Sequence, residues 1–398
     1  MRKLPGTTLF AALLVAAVAP AAPASAAGAE SYVVLLRDGA ALSAFTADPA
    51  VAVTHRYESA VRGYSARMTP ATAARLARDP QVALVQRDGV VTIAAQSVPT
   101  GIDRVDAEVS PTARINGVDE RVDVDVAVID TGIDLDHPDL NVHAAGAKNC
   151  SSGRSADDGH GHGTHVAGTV GAKDDTNGVV GVAPGARVWP VRVLNNRGSG
   201  SFSDIVCGID FVTAHANEIE VANMSLGGSG TDSACGSNQD AMHEAICRSV
   251  AAGVTYVVAA GNSAANSSTF VPAAYDEVIT VSALADFNGK PGGGAASTCR
   301  TDVDDTFADF SNYGADVDLI APGVCILSTW LNGGYNTISG TSMASPHVAG
   351  AAALYKATHP TASPAAVKSA LQAAGTSDWT TSTDPDSTHE PLLNVATF

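Results

Sequence analysis

The chain has 398 residues, 45% of them apolar and only 5% aromatic, which is longer than one core usually spans and too apolar for a disordered or fibrous protein. A large α/β domain with a smaller companion is expected. The formal charge of −18 is uneven: nine Lys and Arg against six Asp and Glu precede residue 95, so the remainder carries −21 and would repel nucleic acid.

Residues 1–26 read as an export signal. Arg2 and Lys3 precede an apolar run from Leu9 to Ala19, and Ala24-Ser25-Ala26 forms a small-residue cleavage site. The run is short of the ~20 residues that span a bilayer, and no later segment is long and apolar enough. A secreted, extracellular protein is therefore expected, acting as a monomer with neither membrane nor nucleic acid as partner.

Residues 27–94 form a small unit. Strand-like Tyr32 to Leu36 is followed by helix-prone Ala40 to Ala47, a strand around Tyr64 to Met68, a helix opened by Thr69-Pro70 and running through Ala77, and a strand Val82 to Gln86. The order predicted is β-α-β-β-α-β, a split βαβ motif of ferredoxin-like α+β type.

From residue 122 strands and helices alternate. Strands are predicted at Val122–Ile129, Arg187–Leu194, Val221–Met224, Thr255–Ala259 and Val278–Ala283, with helices from His165, over Ser203–Ala216 and Gln239–Ala252, and from Thr341 to Ala357. This is an α/β pattern: a mostly parallel sheet with helices on both faces and functional groups at the carboxyl ends of strands. Gly289 to Ala296 is taken as a surface loop.

All six cysteines lie beyond residue 149, which suits an oxidising compartment. Six allow about 15 pairings, and sequence does not select among them. Pairing of sequence neighbours, Cys150–Cys207, Cys235–Cys247 and Cys299–Cys325, is the expectation. No CxxC is present, so a zinc ribbon or redox motif has no support.

Three polar residues sit where chemistry is feasible. Asp130 ends the buried run Val126 to Ile129, where a carboxylate needs a partner such as an imidazole, although an Asp opening a turn is commonplace. His162 lies in Gly161-His162-Gly163-Thr164-His165-Val166-Ala167-Gly168, whose small residues let a helix begin against its neighbours. Here His165 reads as a core histidine, and a metal site of His160, His162 and His165 competes, though Thr164 stands where metallo-hydrolases of that pattern need an Asp. Ser342, in Gly340-Thr341-Ser342-Met343-Ala344-Ser345-Pro346, is placed at a helix N-terminus, with Pro346 tolerated in the first turn. A plain helix cap explains one such serine equally well.

Together VIDTGID, HGTHVAG and GTSMASPHVAG resemble the signature blocks of the subtilisin-like serine proteases, over roughly residues 95–398. The order Asp, His, Ser separates the match from chymotrypsin-like proteases and α/β-hydrolases. The resemblance implies a serine endopeptidase in which His162 takes the proton of Ser342, Asp130 steadies the imidazole, and Asn262 with the Ser342 N–H holds the oxyanion. It implies protein or peptide substrates lying between Gly198-Ser199-Gly200 and Ser225-Leu226-Gly227, with Ala259 and Gly261 walling the pocket before the scissile bond. Phe202 is expected to floor a pocket three residues further back, and no carboxylate in these segments predicts a broad or apolar preference.

The same resemblance makes residues 27–94 an inhibitory propeptide and residues 95–398 the catalytic domain. Cleavage of Ala94–Ala95 by the enzyme itself is expected, with Val91 to Ala94 as first substrate and the propeptide as inhibitor and folding aid. It also implies a structural Ca²⁺ held by Gln96, Asp139 and Asp175 side chains and the Lys173, Asn177 and Val179 carbonyls, with Asp174 adding charge to that loop. Two rivals are a catalytically dead binding scaffold and a secreted metallo-hydrolase built on the histidines.

Overall fold

The computed structural model describes residues 29–88, 96–386 and 388–398. The export signal and the Ala94–Ala95 junction lie outside them. Two compact units are present, Met1–Ile93 and Ala94–Phe398.

In the first, β1 (Glu30–Leu36), α1 (Leu42–Thr46), β2 (Ala52–Tyr57), β3 (Gly63–Met68), α2 (Pro70–Leu76) and β4 (Val82–Arg87) form a sheet of order β2-β3-β1-β4. Its pairings are antiparallel, as expected for a ferredoxin-like unit. Thr69 caps α2 through its hydroxyl, and Pro70 occupies the start of the helix, where no N–H is required. Strand β2 is the member that no sequence segment announced.

The second unit begins with α3 (Thr100–Arg104), β5 (Asp125–Asp130), β6 (Lys148–Asn149), α4 (His162–Gly171), β7 (Arg187–Arg192) and α5 (Phe202–Ala214). Next come β8 (Ile219–Met224), β9 (Gly228–Ser229), α6 (Ala241–Ala251), β10 (Thr255–Ala259), β11 (Phe270–Val271) and β12 (Ile279–Ala285). It ends with β13 (Thr306–Phe307), β14 (Leu319–Pro322), β15 (Ile326–Trp330), β16 (Gly334–Ile338), α7 (Thr341–Thr358) and α8 (Pro364–Ala374). The main sheet runs β13-β12-β10-β8-β5-β7-β6, with β14 also on β12, and β13 is its one antiparallel member among the described residues.

Both faces of this sheet are covered, so its strands are apolar on both sides. Along β5, Val126 and Val128 enter the core shared with α4 and α7, while Ala127 and Ile129 enter the opposite core with α5 and α6. Helix α7 is buried around most of its circumference, which its run of Ala and Gly permits. A Cβ on Gly350 would lie 2.6 Å from Cβ of Val182, so the small residue sets how closely α7 approaches. Helix α4 begins at His162, three residues earlier than predicted.

All three expected disulfides are formed: Cys150–Cys207, Cys235–Cys247 and Cys299–Cys325. The first spans 57 residues and ties the end of β6 to α5. Replacing Cys150 and Cys207 together by Ser should lower unfolding free energy by about 4 kcal/mol on loop-closure grounds, read from the urea midpoint.

Candidate active site

Asp130 ends β5 with no exposed surface. Its Oδ1 accepts from Thr131 N at 2.7 Å and pairs with His162 Nδ1 at 2.8 Å. Two glycines allow that approach: Gly132 takes φ +103°, and a Cβ on Gly163 would lie 2.1 Å from the Gly132 carbonyl oxygen. Burial disfavours the charged His162 imidazole, but the charge and hydrogen bond of Asp130, with Asp158 behind, outweigh it and hold the pKa above the ordinary 6.5.

Ser342 is the second residue of α7, and its hydroxyl donates to the Ser225 carbonyl at 3.2 Å. Pro346 falls in the second turn of α7, not the first. It has no N–H to give the Ser342 carbonyl four residues back. The Ser225 hydroxyl supplies that bond at 2.8 Å, so β8 and α7 are joined by a reciprocal pair of serines.

Asn262 follows β10. Its Oδ1 accepts from Thr341 N at 2.8 Å and Thr341 Oγ1 at 2.9 Å. With the oxygen so occupied, the amide nitrogen is the end left to address the cleft.

His162, Ser342 and Asn262 line one cleft of about 560 Å³, together with Gly198, Ser199, Gly200, Ser225, Leu226, Gly227, Ala259 and Gly261. Its walls follow the carboxyl ends of β5, β7, β8 and β10, where an open parallel sheet accepts ligands. Phe202 lies outside this cleft. It is half exposed, near Gly228, and borders an adjoining hollow with Asp232 and Val271.

His165 is fully buried, with Nε2 at 2.9 Å from the Ile326 carbonyl oxygen, and burial pushes its pKa down to about 3. The three histidines do not gather around one ion. Among the described residues, the ligand atoms that do converge belong to Cys235, His243, Cys247 and Glu277, and both cysteines are in a disulfide.

Four of the residues expected to hold calcium, Gln96, Asp139, Lys173 and Val179, lie within hydrogen-bonding reach of one another. Gln96 Nε2 donates to Lys173 O at 2.8 Å and Val179 O at 3.4 Å, and with the amide turned over its oxygen would join those carbonyls. Asp139 is 2% exposed; Oδ2 accepts from Val179 N at 3.0 Å, while buried Oδ1 has no partner among the described residues. Burial, with the nearby Asp175 charge adding to it, pushes Asp139 up to about 7. A buried, orphaned carboxylate oxygen beside carbonyls suits a hard cation. The backbone N–H and side-chain amide of Asn177 donate to Asp175 Oδ1, and Asp174 Oδ2 accepts from Asn116 N and Gly117 N.

Several supporting residues had no sequence signal. Asp158 Oδ1 accepts from Thr131 Oγ1, His160 N and Gly161 N, and Oδ2 accepts from Thr164 N and Oγ1, so one carboxylate locks the β5 turn to the start of α4. Asn312 Nδ2 donates to Ala260 O and Oδ1 accepts from Ser263 N, bracketing Asn262. His160 and Arg197 also line the cleft.

This fold, with an Asp–His pair and a serine at a helix N-terminus around one cleft, defines the serine-peptidase class. Comparison with known proteins narrows it. Residues 122–389 match the model of the Subtilase family, and residues 21–94 match that of Peptidase inhibitor I9. Subtilisin NAT of Bacillus subtilis subsp. natto is 40% identical over 304 residues, covering 76% of this chain and 72% of its own. The alkaline protease of Alkalihalobacillus alcalophilus is 38% identical over 327 residues, covering 82% and 77%. The crystal structure of a cold adapted subtilisin-like serine proteinase superposes with a TM-score of 0.58 at 34% identity, over 74% of this chain and 97% of that one. The chain belongs to the subtilase family and is a subtilisin-like serine endopeptidase with an inhibitor-type propeptide domain.

Because Asp158 acts on His162 by charge as well as by position, Asp158→Asn should lower the His162 pKa, followed by NMR titration of the imidazole, whereas a purely structural contact would leave it unmoved.

Proposed function

We propose that the chain is the zymogen of a secreted endopeptidase with Ser342 as nucleophile, His162 as general base and then acid, and Asp130 as the carboxylate that fixes the imidazole. The observation that carries this is the 2.8 Å Asp130–His162 hydrogen bond opening onto the same cleft as Ser342 and Asn262.

A serine hydroxyl is a weak nucleophile at neutral pH and must lose its proton as it attacks. In the resting structure Ser342 donates to Ser225 O, so it turns toward His162 when substrate arrives. Asp130 engages Nδ1 and leaves Nε2 to receive the proton, then stabilises the imidazolium until that proton passes to the leaving amine. The Ser342 N–H and the Asn262 side-chain amide receive the developing oxyanion. Thr341 holds Asn262 in that orientation before any charge forms, so little reorganisation is needed during reaction.

Peptide substrate adds as a strand along Gly198–Gly200 and Ser225–Gly227, where small side chains admit its backbone. The lining holds no carboxylate side chain, which supports an apolar or broad preference before the cut. Residues 1–26 direct export, residues 27–94 inhibit, and the enzyme releases residues 95–398 by cutting Ala94–Ala95. Calcium, held by Gln96, Asp139, Asp175 and the Lys173 and Val179 carbonyls, would neutralise the buried Asp139 and tie the 173–179 loop to the start of the catalytic domain.

Ser342→Ala in the full chain, made in a protease-free host, should abolish casein hydrolysis and labelling by a serine-directed phosphonate and leave the propeptide attached. Cleavage at Ala95 in that variant would show that another enzyme does the processing, and retained hydrolysis would remove Ser342 as nucleophile. For the metal, calcium at 100 times its Kd adds about 2.7 kcal/mol. Chelator should therefore lower Tm by several degrees, and Asp139→Asn should remove most of the part that this site contributes.

A further inference from the structure

Helix α6 carries His243 and Cys247 four residues apart, on one face. Cys247 is bonded to Cys235, which is exposed on the loop before the helix, and Glu277 reaches the same place from the segment that leads into β12. The ligand atoms of Cys235, His243, Cys247 and Glu277 all lie within 4.8 Å of one another, the one such set of His, Cys, Asp or Glu among the described residues. The Cys150–Cys207 and Cys299–Cys325 disulfides have no comparable set beside them there.

His243 is 1% exposed, and its ring is held from three sides. Nε2 pairs with Glu277 Oε2 at 2.7 Å, while Nδ1 faces Ser233 Oγ at 3.2 Å and Asp232 Oδ1 at 3.6 Å. Tyr275 stacks on the ring face, with centroids 4.1 Å apart and planes 10° from parallel. The other Glu277 oxygen, Oε1, stands 2.9 Å from Cys235 Sγ. A carboxylate behind one imidazole nitrogen is the arrangement that aims the other nitrogen at a metal. While the disulfide is intact, its sulfurs are not thiolates and offer a metal little.

Reduction changes this. A dithiol that attacks the exposed Cys235 sulfur breaks the S–S bond, gives two electrons and two protons to the cysteines, and leaves as a cyclic disulfide. Two thiols then stand beside a carboxylate and an imidazole. Zinc takes such donors in a tetrahedron, at about 2.3 Å for sulfur and about 2.0–2.2 Å for nitrogen and oxygen, and the two thiol protons pass to solvent as it binds. The donors of such a site are about 3–4 Å apart, so drawing in the present set takes a movement of about 1 Å, which the exposed Cys235 can supply. Two sulfurs with an imidazole select zinc over calcium or magnesium.

We propose that Cys235, His243, Cys247 and Glu277 form a zinc site when the Cys235–Cys247 disulfide is reduced, so that a metal tie replaces the covalent one between the loop and α6. The same loop carries Thr231, Asp232 and Ser233, which line the hollow next to Phe202, and either tie keeps that wall in place.

The test uses the full chain carrying Ser342→Ala, reduced with dithiothreitol, freed of it under argon and titrated with cobalt chloride as a spectroscopic substitute for zinc. One cobalt per chain should bind, with the thiolate charge-transfer and tetrahedral d–d bands of a two-sulfur site, and zinc chloride should displace it. Adding Cys235→Ser should abolish these bands, whereas adding Cys299→Ser with Cys325→Ser should leave them. No such bands in the reduced chain, or bands kept in full by Cys235→Ser, would overturn the proposal. Should the reduced chain unfold in solution, crystals of the oxidised chain soaked in dithiothreitol and then zinc chloride decide: an anomalous zinc peak among the four side chains supports the site, and its absence removes it.

Discussion

A carboxylate held out of water organises the catalytic domain. Asp130 ends a strand buried on both faces, and an ionised group there is tolerable only if donors meet it at fixed positions. One is the Thr131 amide, which depends on the turn made by Gly132, and the other is the His162 ring, which depends on where α4 begins. Asp158 then bonds to both the turn and the helix start. The electrostatic demand of one side chain thus dictates the register of a strand, a turn and a helix, and the proposed general base is oriented by the same contacts.

The rest of the site follows from topology. Strand order places β5 between β7 and β8, so the loops leaving these strands and β10 open on one side. The reciprocal Ser225–Ser342 pair crosses from β8 to α7 and compensates for the donor that Pro346 lacks. A single sequence feature, a proline in the second turn of the helix, therefore accounts for the hydroxyl at position 225.

Much of the architecture was legible because apolar runs in a two-sided parallel sheet are long and unbroken, as in β5, β10 and β12. The three blocks around Asp130, His162 and Ser342 were legible through their joint resemblance to the subtilisin-like signatures, since each residue alone reads equally well as a turn, a histidine cluster or a helix cap. What escaped was held by polar contacts rather than by hydropathy. Strand β2 has mostly exposed side chains and no apolar alternation. Strand β15 buries Ser328 and Thr329, which donate to the His165 and Thr164 carbonyls of α4, so its sequence does not look like a core strand. The Arg104–Asp305 bond joins residues 201 positions apart, and Asp158 and Asn312 take their roles only from neighbours brought in by folding. The Pro346 position was misjudged by one turn because sequence marks helix ends only approximately.

The helix that carries Ser342 is itself deeply enclosed, packed against α4, β8, β10, β12 and β14. A chain whose interior has not consolidated has no seat for that helix, and hence no aligned serine, imidazole or amide. Hydrolytic competence is in this way tied to cooperative assembly. Half-formed copies are inert toward one another, and the molecule becomes able to cut only once its own backbone has been made difficult to cut.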